Sequence, residues 1–125
     1  MQRMLNDFLN RLPDVTVSGI ATRGQEALDQ LPTATVDLVL IDVSLPDMSG
    51  IDLLVELQKI RPGLPCLMLS GHQETIYIQR ALAAGARGYV AKGKPLELSD
   101  AIQQVLAGEI YLNETVRAKL NHTKR

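Results

Sequence analysis

The sequence contains little cysteine and almost no net charge. The one cysteine, Cys66, cannot form a disulfide within the chain, which favours a reducing compartment such as the cytoplasm. With 13 Lys and Arg against 14 Asp and Glu, the formal net charge is −1. That balance argues against a basic surface of the kind that attracts nucleic acid or an anionic membrane.

Long hydrophobic runs are also missing. No apolar run approaches the roughly 20 residues that span a bilayer, and Met1–Asp7 lacks the continuous apolar region of a signal peptide. The 125 residues are 46% hydrophobic, which is enough for one domain with a real core and too few for two. We therefore expect one soluble, cytoplasmic domain that binds neither membranes nor nucleic acid.

Short apolar runs that stop at turn residues alternate with helical stripes along the chain. Buried strands are predicted at Leu38–Asp42, Pro65–Ser70 and Gly88–Lys92, and the alternation at Val15–Ala21 predicts an edge strand. A helix over residues 1–12 comes first, and a helical stripe follows each strand. This order predicts an α/β fold with four strands in one doubly wound parallel sheet and helices on both of its faces.

Three of the predicted strands end on polar residues: Asp42, Ser70 and Lys92. Taken singly, each is more often a turn, capping or solvated residue. Parallel strands, however, deliver their carboxyl ends to one edge of the sheet, where ligands bind in such folds. A carboxylate that can attack phosphorus, a hydroxyl and an ammonium group at that edge predict a phosphoryl-handling site.

The segments that carry these residues resemble a known family, the receiver domains of two-component response regulators, which have a flavodoxin-like fold. The matching segments are Leu38–Gly50, Leu67–His72 and Ala83–Lys92, in the same order and at similar spacing. The resemblance covers nearly all of residues 1–112. It implies a non-enzymatic switch in signalling that a histidine kinase phosphorylates.

The resemblance also assigns roles to individual residues. It implies that Asp42 is the phosphoacceptor, that Ser70 follows the phosphoryl group, and that Lys92 is its cationic partner. Ser70 and Tyr89 would be the two switch residues, and the Tyr89 side chain would move between outward and inward positions. Asp42 and the backbone carbonyl of Ser44 would be ligands of Mg²⁺.

The end of the sequence resembles one subfamily. Ala107–Leu112 is similar to the segment that joins a receiver to a helix-turn-helix output domain, which implies a role in transcription regulation. We therefore place a truncated receiver domain at residues 1–112 and a linker or short helical tail at residues 113–125.

The sequence departs from the family at its start. The family's first strand and the acidic pair that ends it are absent, and Asp7 lies within the predicted first helix. In the strand order 2-1-3-4-5, the absent strand belongs between the Val15 and Leu38 strands. Upstream residues, direct pairing of those two strands, or a second chain in a strand-swapped homodimer would fill the gap.

The absent acidic pair also affects the expected chemistry. Asp42, one carbonyl and water molecules make a poor site for Mg²⁺, which favours octahedral oxygen coordination. We therefore expect weak Mg²⁺ binding and weak or no phosphorylation of this chain.

The alternative is a degenerate receiver, a phosphorylation-independent interaction or dimerisation module. A small flavodoxin-like enzyme or nucleotide binder is disfavoured, because no Gly-rich phosphate loop follows any strand.

Overall fold

Four parallel strands form one sheet in the part of the chain that the computed structural model describes, which is residues 15, 21–71, 75–91, 95–112 and 117–118. The predicted helix over residues 1–12 and residues 16–20 of the predicted edge strand lie outside this part, as does Lys92. Of the predicted tail, Arg117 and Ala118 are described, and both are helical.

The three predicted buried strands are present within a residue or two of their expected bounds. They are β1 at Val39–Asp42, β2 at Cys66–Ser70 and β3 at Gly88–Ala91, and the order in the sheet follows the sequence. The register places Asp42 opposite Leu69, and Ser70 opposite Ala91. The carboxyl ends of all three strands therefore lie at one edge of the sheet.

In the described part of the sequence, one helix and a 3₁₀ turn precede β1, and one helix lies in each of the three connections between successive strands. The helices are α1 at Gly24–Gln30, α2 at Gly50–Ile60, α3 at Thr75–Ala83 and α4 at Pro95–Leu106, and the 3₁₀ turn at Leu31–Thr33 follows α1. Ser49 caps the start of helix α2, because its Oγ accepts a hydrogen bond of 3.0 Å from the Asp52 N–H. None of the helices in these described ranges is long and apolar enough to cross a membrane.

The sheet is covered on both faces, as a doubly wound fold requires. Successive β2 residues point to opposite faces, so Met68 packs in one hydrophobic cluster and Leu67 in another. The first cluster contains the buried residues of α2 and α3, and the second contains those of α4. The residues that the helices contribute are Leu53, Leu54, Leu57, Ile78 and Ala81 to the first, and Leu98, Ala101, Ile102 and Val105 to the second.

The core on the α2 face gives a first testable prediction. Leu54 is fully buried, whereas its neighbour Val55 is 38% exposed. Leu54→Ala is expected to lower the free energy of unfolding by roughly 2–5 kcal/mol, because it leaves a cavity in a packed core. Val55→Ala is the matched control, with an expected change of about 0.5 kcal/mol or less. Urea unfolding measures both, and equal losses would contradict the packing described here.

The fourth strand is one that sequence reasoning missed. Tyr111 and Leu112, expected to lie in a joining segment, form β4, which pairs in parallel with β3 at the edge of the sheet. The Tyr111 N–H donates to the Arg87 carbonyl at 2.9 Å. Glycine at position 88 allows β3 and β4 to approach closely. A Cβ there would lie 3.1 Å from the Tyr111 carbonyl oxygen and against the Leu67 side chain.

Candidate functional site

Asp42 and Ser70 end two neighbouring parallel strands at the same edge of the sheet. Asp42 is the last residue of β1 and is half-buried, and Ser70 is the last residue of β2 and only 1% exposed. The backbone N–H of Ser44 donates to Asp42 Oδ1 at 2.8 Å, which fixes one carboxylate oxygen. The structure thus places two of the three predicted residues together. Lys92, the third, lies outside the described residues, one position after β3.

The loop between β1 and α2 closes tightly behind Asp42. Backbone pairing between this segment and β2 continues one residue past the end of β1, because the Val43 N–H donates to the Leu69 carbonyl at 2.9 Å. The Gly50 N–H donates to the Val43 carbonyl at 2.8 Å, and Ser44 and Ser49 form an isolated antiparallel bridge. A Cβ at Gly50 would press on the Asp42 carbonyl and lie 2.8 Å from Val43 Cα. Only glycine fits at this position without displacing the backbone of the candidate phosphoacceptor.

The tip of the same loop contacts the first turn of α1. Asp47 Oδ1 accepts a hydrogen bond of 2.8 Å from the Gly24 N–H, and Oδ2 accepts one of 3.0 Å from the Gln25 N–H. The residue before the helix, Arg23, makes no side-chain capping hydrogen bond. Sequence reasoning missed this contact because capping patterns are local, and here the carboxylate lies more than twenty residues from its donors.

These hydrogen bonds hold the pKa of the Asp47 carboxyl below its usual value of 3.8, with the Gln25 N–H as the largest cause and the Gly24 N–H next. A lowered folded pKa means that the contact stabilises the fold fully above the unfolded pKa. That stabilisation is lost as the pH falls through 3.8 towards the folded pKa.

The stability of Asp47→Asn is therefore expected to depend less on pH than that of the wild type. Thermal unfolding from pH 6 down to about pH 2 should show the largest difference in Tm at the upper end and a shrinking difference below 3.8. A difference that stays constant over the whole range would contradict the hydrogen bonding described here.

Tyr89, the predicted switch residue, lies in the middle of β3 and points inward. Its side chain is fully buried in the core cluster on the α2 face, which also contains Met68 and Ile78. It pairs with Leu112 of β4. The inward position is one of the two that the family resemblance assigns to this residue.

A cleft of about 420 Å³ lies beside the loop, between the start of α2 and helix α3. Its lining combines apolar, hydroxyl and charged groups from Val43, Ser44, Ser49, Ile51, Asp52, Tyr77 and Arg80. Sequence reasoning did not predict it, because its walls come from two segments separated by the whole of β2.

The described residues do not form a complete metal site. Within the ranges that the structure covers, no group of three or more Asp, Glu, His or Cys side chains lies close enough to hold an ion. The predicted ligands within those ranges are the Asp42 carboxylate and the Ser44 carbonyl. This set is too small for the octahedral coordination of Mg²⁺, so these donors alone do not fit the cation.

Comparison with known proteins establishes the family to which the chain belongs. The model of the response regulator receiver domain family matches residues 1–104. The chain therefore belongs to the response regulator receiver domains, and the resemblance seen in the sequence is confirmed. Its function is accordingly that of a receiver in two-component signalling.

The relatives include a transcriptional regulatory protein and a chemotaxis protein. The transcriptional regulatory protein UhpA of Escherichia coli K12 is 39% identical over 86% of this chain and 54% of its own length. The chemotaxis protein CheY of Thermotoga maritima is 30% identical over 84% of this chain and 88% of its own length. The chain thus spans about half the length of regulators such as UhpA.

Solved structures confirm the flavodoxin-like α/β fold. A LuxR-family two-component response regulator from Aurantimonas sp. SI85-9A1 superposes with a TM-score of 0.93 at 27% identity, covering 98% of this chain and 89% of that one. A LuxR-family DNA-binding response regulator from Silicibacter pomeroyi gives a TM-score of 0.76 at 34% identity, covering 90% and 88%.

Proposed function

We propose that Asp42 is the phosphoacceptor of this receiver domain and that a histidine kinase is its phosphodonor. The observation that carries the proposal is the position of the half-buried Asp42 carboxylate at the carboxyl edge of the sheet, next to the buried Ser70. An oxygen of Asp42 would attack the phosphorus of the donor and form an aspartyl phosphate, with release of the donor's leaving group. The Ser44 N–H at 2.8 Å from Oδ1 supports the carboxylate in one orientation.

We further propose that Ser70 and Tyr89 respond to the phosphoryl group. The added charge at Asp42 draws the Ser70 hydroxyl towards a phosphoryl oxygen and biases Tyr89 between its inward and outward positions. Burial of both side chains supports this role, because a small shift at either one must be accommodated by the packed core around it.

Lys92 and the Mg²⁺ ligands complete the proposed site. Lys92 is the next residue in the sequence after Ala91, the last residue of β3, which pairs with Ser70. Lys92 is therefore the proposed cationic partner of the phosphoryl group. Asp42 and the Ser44 carbonyl are the proposed ligands of Mg²⁺. Because they are too few for firm binding, the charges of an incoming phosphoryl group and of Asp42 repel each other with little compensation. We infer slow phosphorylation of this 125-residue chain.

For the whole protein, we propose a cytoplasmic, non-enzymatic switch that regulates transcription through a helix-turn-helix output domain. The similarity to UhpA and to LuxR-family regulators supports this. A second candidate is a degenerate receiver that dimerises without phosphorylation, which the small number of metal ligands among the described residues favours. Within the described sheet β1 is an end strand, so a strand from a second chain is one partner for its outer edge.

Incubation with phosphoramidate and Mg²⁺, followed by intact-mass measurement, separates these candidates. The phosphoacceptor proposal expects a slow, partial gain of one phosphoryl group, and chelation of the metal should slow it further. Absence of any gain at high donor concentration, together with a dimer in sedimentation analysis, would favour the degenerate module. A fast, stoichiometric gain would contradict the inferred slow phosphorylation.

A further inference from the structure

We propose that Asp47 is a positioning residue for phosphoryl transfer, because it holds the loop between Asp42 and α2 against the first turn of α1. This inference rests on the proposed role of Asp42 as phosphoacceptor. Asp47 touches neither Asp42 nor Ser70 in the contacts described above, so it would act through the loop.

The first support is the geometry of the carboxylate. Its two oxygens accept separate hydrogen bonds, of 2.8 Å from Gly24 and 3.0 Å from Gln25. Both donors belong to the start of a helix, where backbone N–H groups have no partner within the helix. Hydrogen bonds to a charged acceptor are stronger than neutral ones. The loop therefore supplies the capping group that Arg23, the residue before the helix, does not provide.

The second support is independent of charge and comes from the next residue. Met48 packs so closely on Gly24 that a Cβ there would lie 2.5 Å from the Met48 sulfur and 2.6 Å from its Cγ. Glycine 24 is buried, and its missing side chain makes the space that the thioether fills. Two consecutive loop residues thus contact the same helix end, one by hydrogen bonds and one by packing.

The stem of the loop transmits this attachment to Asp42. The Ser44–Ser49 bridge and the hydrogen bond from the Gly50 N–H to Val43 tie the two sides of the stem together. Ser44 in turn orients the Asp42 carboxylate through its N–H. Release of the tip would loosen the stem and let the carboxylate sample orientations that do not meet an incoming phosphorus atom.

Substitutions at Asp47 test the inference in the intact chain. With phosphoramidate as donor, Asp47→Ala should lower the maximal rate of phosphorylation about fivefold and leave the half-saturating donor concentration unchanged. Asp47→Asn, which keeps one acceptor oxygen, should fall between this variant and the wild type. The matched control is Asp29→Ala, which removes another exposed carboxylate, one that accepts from the Gln25 side chain within α1. Its rate should stay within about twofold of the wild type.

Amide hydrogen exchange of residues 43–49 in the same variants gives a readout that needs no phosphorylation. The inference expects faster exchange in Asp47→Ala and unchanged exchange in Asp29→Ala. An Asp47→Ala protein with wild-type rate, or one with a lowered rate and unchanged exchange, would overturn it. If the wild type takes up no phosphoryl group, the proposed role of Asp42 as phosphoacceptor is wrong. Hydrogen exchange then tests by itself whether Asp47 holds the loop against α1. Faster exchange in Asp47→Ala would support that contact, and unchanged exchange would overturn it.

Discussion

Asp42→Asn is expected to abolish phosphoryl uptake by the chain. The amide has nearly the same shape as the carboxylate and keeps an oxygen that can accept the Ser44 N–H, but it is not a nucleophile towards phosphorus. The loss should therefore be complete in an intact-mass assay with phosphoramidate, whereas the thermal stability should change little. No other substitution in the described site is expected to have so large an effect on the chemistry.

The matched control for this experiment is Asp52→Asn. Asp52 is an exposed carboxylate in the first turn of α2 and lines the cleft beside the loop. It lines the same cleft as Ser44 without ending a strand, so its variant should be phosphorylated at the wild-type rate. Uptake that survives Asp42→Asn and disappears in Asp52→Asn would move the phosphoacceptor from the strand end to the helix.

Gly50→Ala is expected to cause the largest loss of stability in the site. Its Cβ would press on the Asp42 carbonyl and lie 2.8 Å from Val43 Cα, so backbone atoms must move. Overpacking of this kind lowers the free energy of unfolding by roughly 1–3 kcal/mol. The gain in helix propensity from alanine at the start of α2 is smaller than this loss. Because the displaced backbone belongs to Asp42, phosphorylation should slow as well.

Gly71→Ala provides the control for a glycine at the same edge of the sheet. A Cβ at Gly71 would meet nothing within 4 Å, so its unfolding free energy should stay near that of the wild type. Urea unfolding of both variants measures the difference. A Gly50→Ala protein as stable as Gly71→Ala would mean that the loop accommodates a side chain, which contradicts the tight closure described above.

The buried elements could be predicted from the sequence because their patterns are local. The run Leu38–Ile41 is aliphatic throughout and ends at turn residues, and it became β1. The stripe Leu98, Ala101, Ile102 and Val105 has helical spacing and became the buried face of α4. The convergence of Asp42 and Ser70 followed from the parallel order of their strands, although their chemical roles stay predictions.

The parts that sequence reasoning missed depend on contacts between distant segments. Strand β4 has only two residues, too few to show alternation, and it exists because Gly88 lets Tyr111 approach β3. Burial, the negative charge of Glu97 and a hydrogen bond to its carboxylate raise the pKa of Tyr111 to about 12. The contact with Glu97 joins β4 to α4. The contact between Asp47 and α1 likewise has no local signal, since donors and acceptor meet only in the folded chain.

Localisation of the phosphoryl group tests most directly whether Asp42 is the phosphoacceptor. After incubation with phosphoramidate, the aspartyl phosphate can be reduced with borohydride and the modified residue found by peptide sequencing in a mass spectrometer. All of the modification is expected on Asp42 and none on Asp37, Asp47 or Asp52. Modification at any other residue, with Asp42 unchanged, would contradict it.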